Sequence, residues 1–278
     1  QLLPGVQSGS EGSSGLYVRG GRADQNLILL DGVPVYNASH LFGFVSVFNA
    51  DAINHVELVK GGFSARYGGR LSSVIDIRMK EGNSKKVQGE GSIGLVASRL
   101  TLEGPIVKDK TSFIVSARRT YIDLLARPLI EIATKGEETA GYYFYDLNAK
   151  INHHFNDKNR LYLSLYAGDD KAYARSRYTS SHLPETAESE NAFKLQWGNI
   201  TTALRWNSII NKKLFSNVTA TYSRYRFGVY LDQEESVTTS GSTETDYFHT
   251  SYVSGIRDFA LKADFDFIPS PDHYIRFG

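Results

Sequence analysis

The sequence predicts two regions of different class: a compact domain over residues 1–84, then antiparallel strands of a transmembrane β-barrel over residues 85–278. Three observations predict it. Up to Met79, short apolar runs are separated by glycine-dense turns. Beyond Val87, apolar and polar residues alternate at period two, as in strands with one apolar face. The links between those alternating segments are short and long in turn, which is the pattern of an outer-membrane barrel.

The first region is read in chain order. Ser8–Gly15 (SGSEGSSG) is a polar link. Asn26–Leu30 is a continuous apolar run ended by Asp31-Gly32, which reads as a strand buried on both faces and then a turn. Tyr36–Phe44 is an aromatic loop. Val56–Lys80 (VELVKGGFSARYGGRLSSVIDIRMK) is the stretch around which the domain is organised. An apolar strand leads into a turn with Gly61-Gly62 and Gly68-Gly69, and Val74, Ile75, Ile77 and Met79 form a second, mostly buried strand. Paired glycines suit such a turn because they tolerate positive φ. Glu81–Lys86 is polar and reads as the domain junction.

In the second region, Tyr143, Tyr145, Leu147, Ala149 and Ile151 alternate with Phe144, Asp146, Asn148, Lys150 and Asn152. Leu161–Gly168 and Phe259–Phe267 alternate in the same way. Val87–Pro105 changes phase near Ala97–Arg99, which reads as one strand with a bulge. Phe193–Ile210 changes phase near Gly198. Short turns are expected at 108–110, 156–159, 211–213 and 269–272, and long loops at 121–141, 174–191 and 232–250. Tyr121–Ala133 reads as a short helix interrupted by Pro128. About eight strands result. Phe113, Val115 and Ala117 face outward in this alternation, and Arg118 faces inward.

Composition narrows the function. The chain has 278 residues and a net charge of +1, from 31 basic and 30 acidic residues, which gives no signal for nucleic acid. It has no cysteine, so no disulfide or thiolate chemistry. Its 17 Tyr and 15 Phe lean toward antiparallel β structure. No apolar run approaches the roughly 18 residues of a membrane helix, and no signal peptide is present. Negative mean hydropathy is compatible with a membrane barrel, because only alternate residues face lipid. Gly89–Gly94 matches G-x-G-x-x-G, but its flanks are strand-like on both sides, so it reads as small residues on a barrel strand and not a phosphate loop. The histidines show no metal-ligand spacing. With no G-x-S-x-G and no paired carboxylates, an enzyme is not expected, nor is a cofactor.

Four motifs in order carry a resemblance: Leu3-Pro4-Gly5-Val6, Tyr17-Val18-Arg19-Gly20, Leu29–Val35 (LLDGVPV) and Val56–Lys80. Together they resemble the plug domain of TonB-dependent outer-membrane receptors, and in wording those common in Bacteroidetes-type bacteria. The family's RGP turn is here Lys60-Gly61-Gly62. The resemblance implies an α+β plug domain followed by antiparallel transmembrane β-barrel strands. These are about the first eight of roughly 22, since an eight-stranded barrel cannot hold such a plug. A longer receptor, incomplete here at both ends, is therefore expected. The family's TonB box precedes the plug, and this chain starts at Gln1 inside that region.

The resemblance further implies active import of a scarce nutrient, driven by the inner-membrane proton gradient through TonB. The partners implied are TonB, outer-membrane lipid, the nutrient ligand and, for some relatives, a surface lipoprotein. Arg19 and Lys60 are implied in plug–barrel coupling. The plug's apical residues Arg22, Gln25, Tyr36, Asn37, His40, Phe42 and Phe44 are candidates for substrate or partner contact; their alternative role is packing against the barrel wall. The rival function is a structural barrel in an outer-membrane assembly, without transport.

Overall fold

The computed structural model describes residues 6–8, 16–182 and 185–278. Of the Leu3–Val6 motif and the Ser8–Gly15 link, only Val6 and Ser8 fall among them. The side chains of residues 6–8, Phe42 and His182 also lie outside the description.

The first region is a small set of sheets. β1 (Val6–Ser8) pairs antiparallel with β2 (Leu16–Val18). β3 (Asn26–Leu30) and β4 (Val33–Pro34) form a hairpin. Asp31 and Gly32 between them sit at φ 49° and 85°, the left-handed pair that a two-residue turn of matching twist needs. β5 (Ser39–His40) and β6 (Val45–Ser46) form a second small hairpin. β7 (Ile53–Val59) runs antiparallel to β8 (Ser73–Met79), and β8 runs parallel to β3, in the order β4-β3-β8-β7. The two strands expected within Val56–Lys80 are thus present and paired. Gly61, Gly62 and Gly69 of their connection have positive φ. β8 is central, and its Val74, Ile77 and Met79 are buried. β7 is an edge, which leaves Val56 exposed.

The second region is one antiparallel sheet of nine strands in chain order. β9 (Gln88–Ile93), β10 (Ala97–Val107) and β11 (Thr111–Thr120) lead to helix α1 (Ile122–Ala133). β12 (Glu138–Asn156), β13 (Asn159–His182), β14 (Glu185–Asn211), β15 (Leu214–Thr239), β16 (Ser242–Ser270) and β17 (His273–Phe277) follow.

Several expectations are corrected. Val87–Pro105 is two strands. The chain reverses at 94–96, closed by Gly94 N–H to Ala97 C=O (2.9 Å), so the change of phase marks a hairpin and not a bulge. This makes nine strands in place of eight. The long links at 174–191 and 232–250 are strands, not loops: β13 pairs with β14, and β15 with β16, almost to the tips. Their Thr, Ser, Val and Tyr content suits a two-sided ribbon exposed to water. β14 has no irregularity at Gly198; the phase there changes because Trp197 points inward and is buried. Pro128 does not interrupt α1, which is continuous through it. The i,i+4 ion pair Arg127–Glu131 (2.8 Å) supports that helix, and Arg119 of β11 pairs with Asp123 in its first turn (3.6 Å). The four short turns lie where expected.

The sheet has two faces of opposite character, set by the pleat. One row across β11–β16 is Val115, Ala149, Leu165, Thr202, Tyr222 and Phe259. The adjacent row is Ser116, Asn148, Tyr166, Thr201, Ser223 and Asp258, on the other face. The polar row packs inward on the first region; Ser116, Asn148, Tyr166, Thr201 and Ser223 are all buried. The apolar row faces out, with Phe259 75% exposed. This inversion is what a barrel wall in lipid requires. Tyr166 joins Leu30, Val35, Val47, Ile77 and Met79 in the core of the first region.

The junction between regions is tight. Gly82 has φ +80°, and a Cβ there would lie 2.2 Å from the Phe113 carbonyl oxygen of β11. Gly82→Ala is expected to cost roughly 1–3 kcal/mol in backbone strain and a similar amount in overpacking. Urea unfolding in detergent measures this against Gly136→Ala. Gly136 has similar φ but open space, so equal losses for the two variants would refute the packing contribution.

Candidate functional site

The site is the contact between the first region and the inward strand faces, and its centre is His40. β5 ends at this residue, and Leu41 follows at φ 50°. A branched residue rarely adopts that conformation. Here it aims the Leu41 N–H at the wall, where it donates to Tyr142 Oη (2.6 Å) and Asp170 Oδ1 (3.3 Å). The His40 ring is 1% exposed. Nδ1 lies 2.5 Å from Asp170 Oδ2 on β13, and Nε2 lies 2.6 Å from Asp146 Oδ1 on β12. Phe144 stacks flat on the ring, with centroids 4.0 Å apart and planes 5° apart.

A carboxylate at each nitrogen makes both nitrogens donors, which is the imidazolium form. Burial pushes the His40 pKa down, and the hydrogen bonds and charges of Asp146 and Asp170 outweigh it, holding the pKa above the ordinary histidine value. Arg118 completes the cluster. It donates to Asp146 Oδ2 from Nε (2.7 Å) and to the Ser46 carbonyl from Nη2 (2.7 Å). Tyr166 Oη donates to Asp146 Oδ1 (3.0 Å), and Tyr142 Oη donates to Asp170. Two cations and two carboxylates balance, so the cluster is neutral while buried.

A second cluster holds the β3–β4 turn. Lys150 Nζ lies 3.1 Å from Asp31 Oδ2 and donates to the Met79 carbonyl (3.2 Å). Met79 N–H donates to Asp31 Oδ1 (3.2 Å), and Arg205 donates to the Asp31 carbonyl (2.6 Å). Further links are Asn49 to Ser116 (2.7 Å), Ser223 to the Pro34 carbonyl (2.7 Å) and the ion pair Arg99–Asp51 (3.2 Å).

The structure separates the sequence candidates. Tyr36, Asn37 and His40 meet the wall together. Tyr36 Oη donates to Asp258; burial, then that bond, push its pKa up to about 12. Asn37 reaches Tyr225 Oη (3.5 Å). Phe44 is 68% exposed. Arg22 and Gln25 lie apart, where Gln25 Oε1 accepts from the Arg22 N–H (3.0 Å) across a single 3₁₀ turn. Arg19 is exposed, with its guanidinium beside Gly61, and makes no ion pair among the described residues. Lys60 is half-buried at the end of β7. The residues that hold the first region to the wall lie mostly outside the sequence candidates for contact or coupling: Asp31, Arg118, Asp146, Lys150, Asp170 and Arg205. Apart from Asp31, which lies in the β3–β4 turn, their signal was charge on the inward phase of a strand.

Residues 1–74 match the TonB-dependent Receptor Plug Domain family. No curated protein matches the chain. Among solved structures it is similar to the siderophore receptor PirA from Acinetobacter baumannii, at 13% identity over 97% of this chain and 56% of that one, with a TM-score of 0.44. It is also similar to the FrpB iron transporter from Neisseria meningitidis (13% identity, 96% and 58% covered, TM-score 0.43). A third is the ferric yersiniabactin uptake receptor FyuA from Yersinia pestis (12% identity, 97% and 59% covered, TM-score 0.41). The chain thus spans 56–59% of the length of these three. Residues 1–74 thus carry a TonB-dependent receptor plug domain, and the antiparallel strands that follow face it with their polar side.

Proposed function

We propose that this chain is the plug (residues 1–84) and the first barrel strands (residues 85–278) of an importer in the bacterial outer membrane. A nutrient ligand binds from outside, on the side of the long hairpins. TonB, energised by the inner-membrane proton gradient, then pulls the plug and opens a path. The protein does no bond chemistry; it couples two sites through a conformational change.

One observation carries this reading: a matched plug domain is held to the wall largely through buried polar and ionic groups. Such contacts can pass to water when the plug moves, whereas a continuous apolar seam would resist wetting. In this reading Phe44 is the apical candidate for ligand or partner contact, with Asn37 and Phe42 near it in sequence, and Arg22 and Gln25 are a second candidate apart from it. Tyr36 and His40 relay that contact to Asp258, Asp146 and Asp170. Arg19 and Lys60 remain proposed coupling residues, and a surface lipoprotein a proposed partner.

The test is accumulation of candidate nutrients, ferric chelates first, by cells whose sole receptor is this one. Uptake is expected to vanish in a strain lacking TonB and on adding a protonophore. Uptake that survives both would overturn active import.

A further inference from the structure

The outward face of β15 and β16 changes character abruptly. Ala220–Leu261 and Tyr222–Phe259 are directly opposed pairs on that face, and the Tyr222 and Phe259 rings lie 4.9 Å apart. The next outward pair, toward the long hairpins, is Arg224–Arg257, one arginine directly opposite another. Arg226 is the next outward residue on β15 and is exposed. Like charges directly opposed weaken a sheet. Among the described residues, neither Arg224, Arg226 nor Arg257 forms an ion pair. Arg226 donates to Tyr230 Oη (2.8 Å), and Asp169, which shares a depression with Arg224 and Arg226, accepts from Gln196 (2.7 Å).

Arg257 lies directly opposite Arg224. The depression that Arg224 and Arg226 border has a volume of about 210 Å³ and is walled also by Tyr145, Asp169 and Gln196. Its floor is bare because Gly198 lies between Asp169 and Arg226 in register, with Gly255 beyond. A Cβ at Gly198 would lie 2.6 Å from Asp169 Oδ1. Arginine offers a planar fork that suits phosphate oxygens, and its stem can lie along apolar surface while the head reaches the polar layer.

We propose that Arg224, Arg226 and Arg257 form a binding site for the phosphate of a membrane-lipid headgroup, at the level where the apolar band ends. The inference rests on the barrel reading above and adds the site and its ligand chemistry. The occupant is a lipid because the site is continuous with the aromatic and apolar band below it. A lipid anchored there presents its headgroup to these arginines.

The receptor is purified in detergent, then reconstituted in nanodiscs of equal phosphatidylglycerol and phosphatidylcholine. Retained lipid is counted by native mass spectrometry after release from the discs. The wild type is expected to retain phosphatidylglycerol over phosphatidylcholine by on the order of tenfold. R224Q/R257Q is expected to retain both equally, while K212Q/K213Q, at a short turn on the other rim, behaves as wild type. Equal retention by wild type and R224Q/R257Q overturns the site. Displacement of the lipid by millimolar inorganic phosphate overturns the lipid as its source. Outer-membrane fractionation of the wild type tests the barrel reading separately: its absence from that fraction overturns both, whereas its presence with unselective retention overturns the site alone.

Discussion

His40→Ala is expected to loosen the plug more than any other single change in the apical loop. The substitution leaves Asp146 and Asp170 buried without the cation that faces both. Removing one partner of a buried pair costs about 3–5 kcal/mol, because the remaining charge stays desolvated. Arg118 still neutralises Asp146, so Asp170 bears most of the loss. Planar-bilayer recordings should show raised passive conductance and a lower urea threshold for channel opening. The pH dependence identifies the charge as the cause. His40 has a folded pKa raised above its unfolded value. Its contribution is therefore complete below the ordinary histidine pKa and is lost as pH rises through the raised folded value. Wild-type conductance should climb over that alkaline window, while His40→Ala stays leaky and flat. A wild-type profile as flat as the variant's would show that the imidazolium charge does not hold the plug.

Much of this fold could be read directly from residue order. The turn at Asp31-Gly32, the strand pair flanking Gly61–Gly69 and the alternation of Tyr143–Asn152 each have a local cause, positive φ or period two, that acts within ten residues. What failed was also local in appearance. Gly94 reverses the chain where a change of phase suggested a bulge, because periodicity alone does not distinguish a reversal from a slip. The hairpin tips at 174–191 and 232–250 looked like loops because both ribbon faces meet water, which removes the apolar marker of a strand. The site was the least legible. His40 stood out as a polar residue in an aromatic loop, but its partners Asp146 and Asp170 lie 106 and 130 residues away. Only the three-dimensional register of β12 and β13 puts them on one spot. Asp146 and Lys150 were visible as charges on the inward phase, without a way to tell which plug residue each would meet.

The Asp31–Lys150 contact should behave as a coupled pair, and a double-mutant cycle can show it. Both side chains are nearly inaccessible, at 3% and 5%. Lys150→Met leaves the Asp31 carboxylate facing an apolar chain, and Asp31→Asn leaves the ammonium with the neutral Met79 carbonyl and Tyr162 ring. Each single change is expected to destabilise plug docking by about 3–5 kcal/mol. The double variant removes both charges and is expected to cost less than the sum by roughly 1–3 kcal/mol, the range measured for residues in contact. Arg205 sharpens the test, because it binds the Asp31 backbone carbonyl and not the carboxylate. Arg205→Gln should therefore couple to Asp31→Asn as well, and more weakly than Lys150→Met does. Plug release followed by urea titration of channel conductance gives all four corners of each cycle. Strict additivity between Asp31→Asn and Lys150→Met would mean that the two charges do not stabilise one another, and that the turn is held by backbone contacts alone.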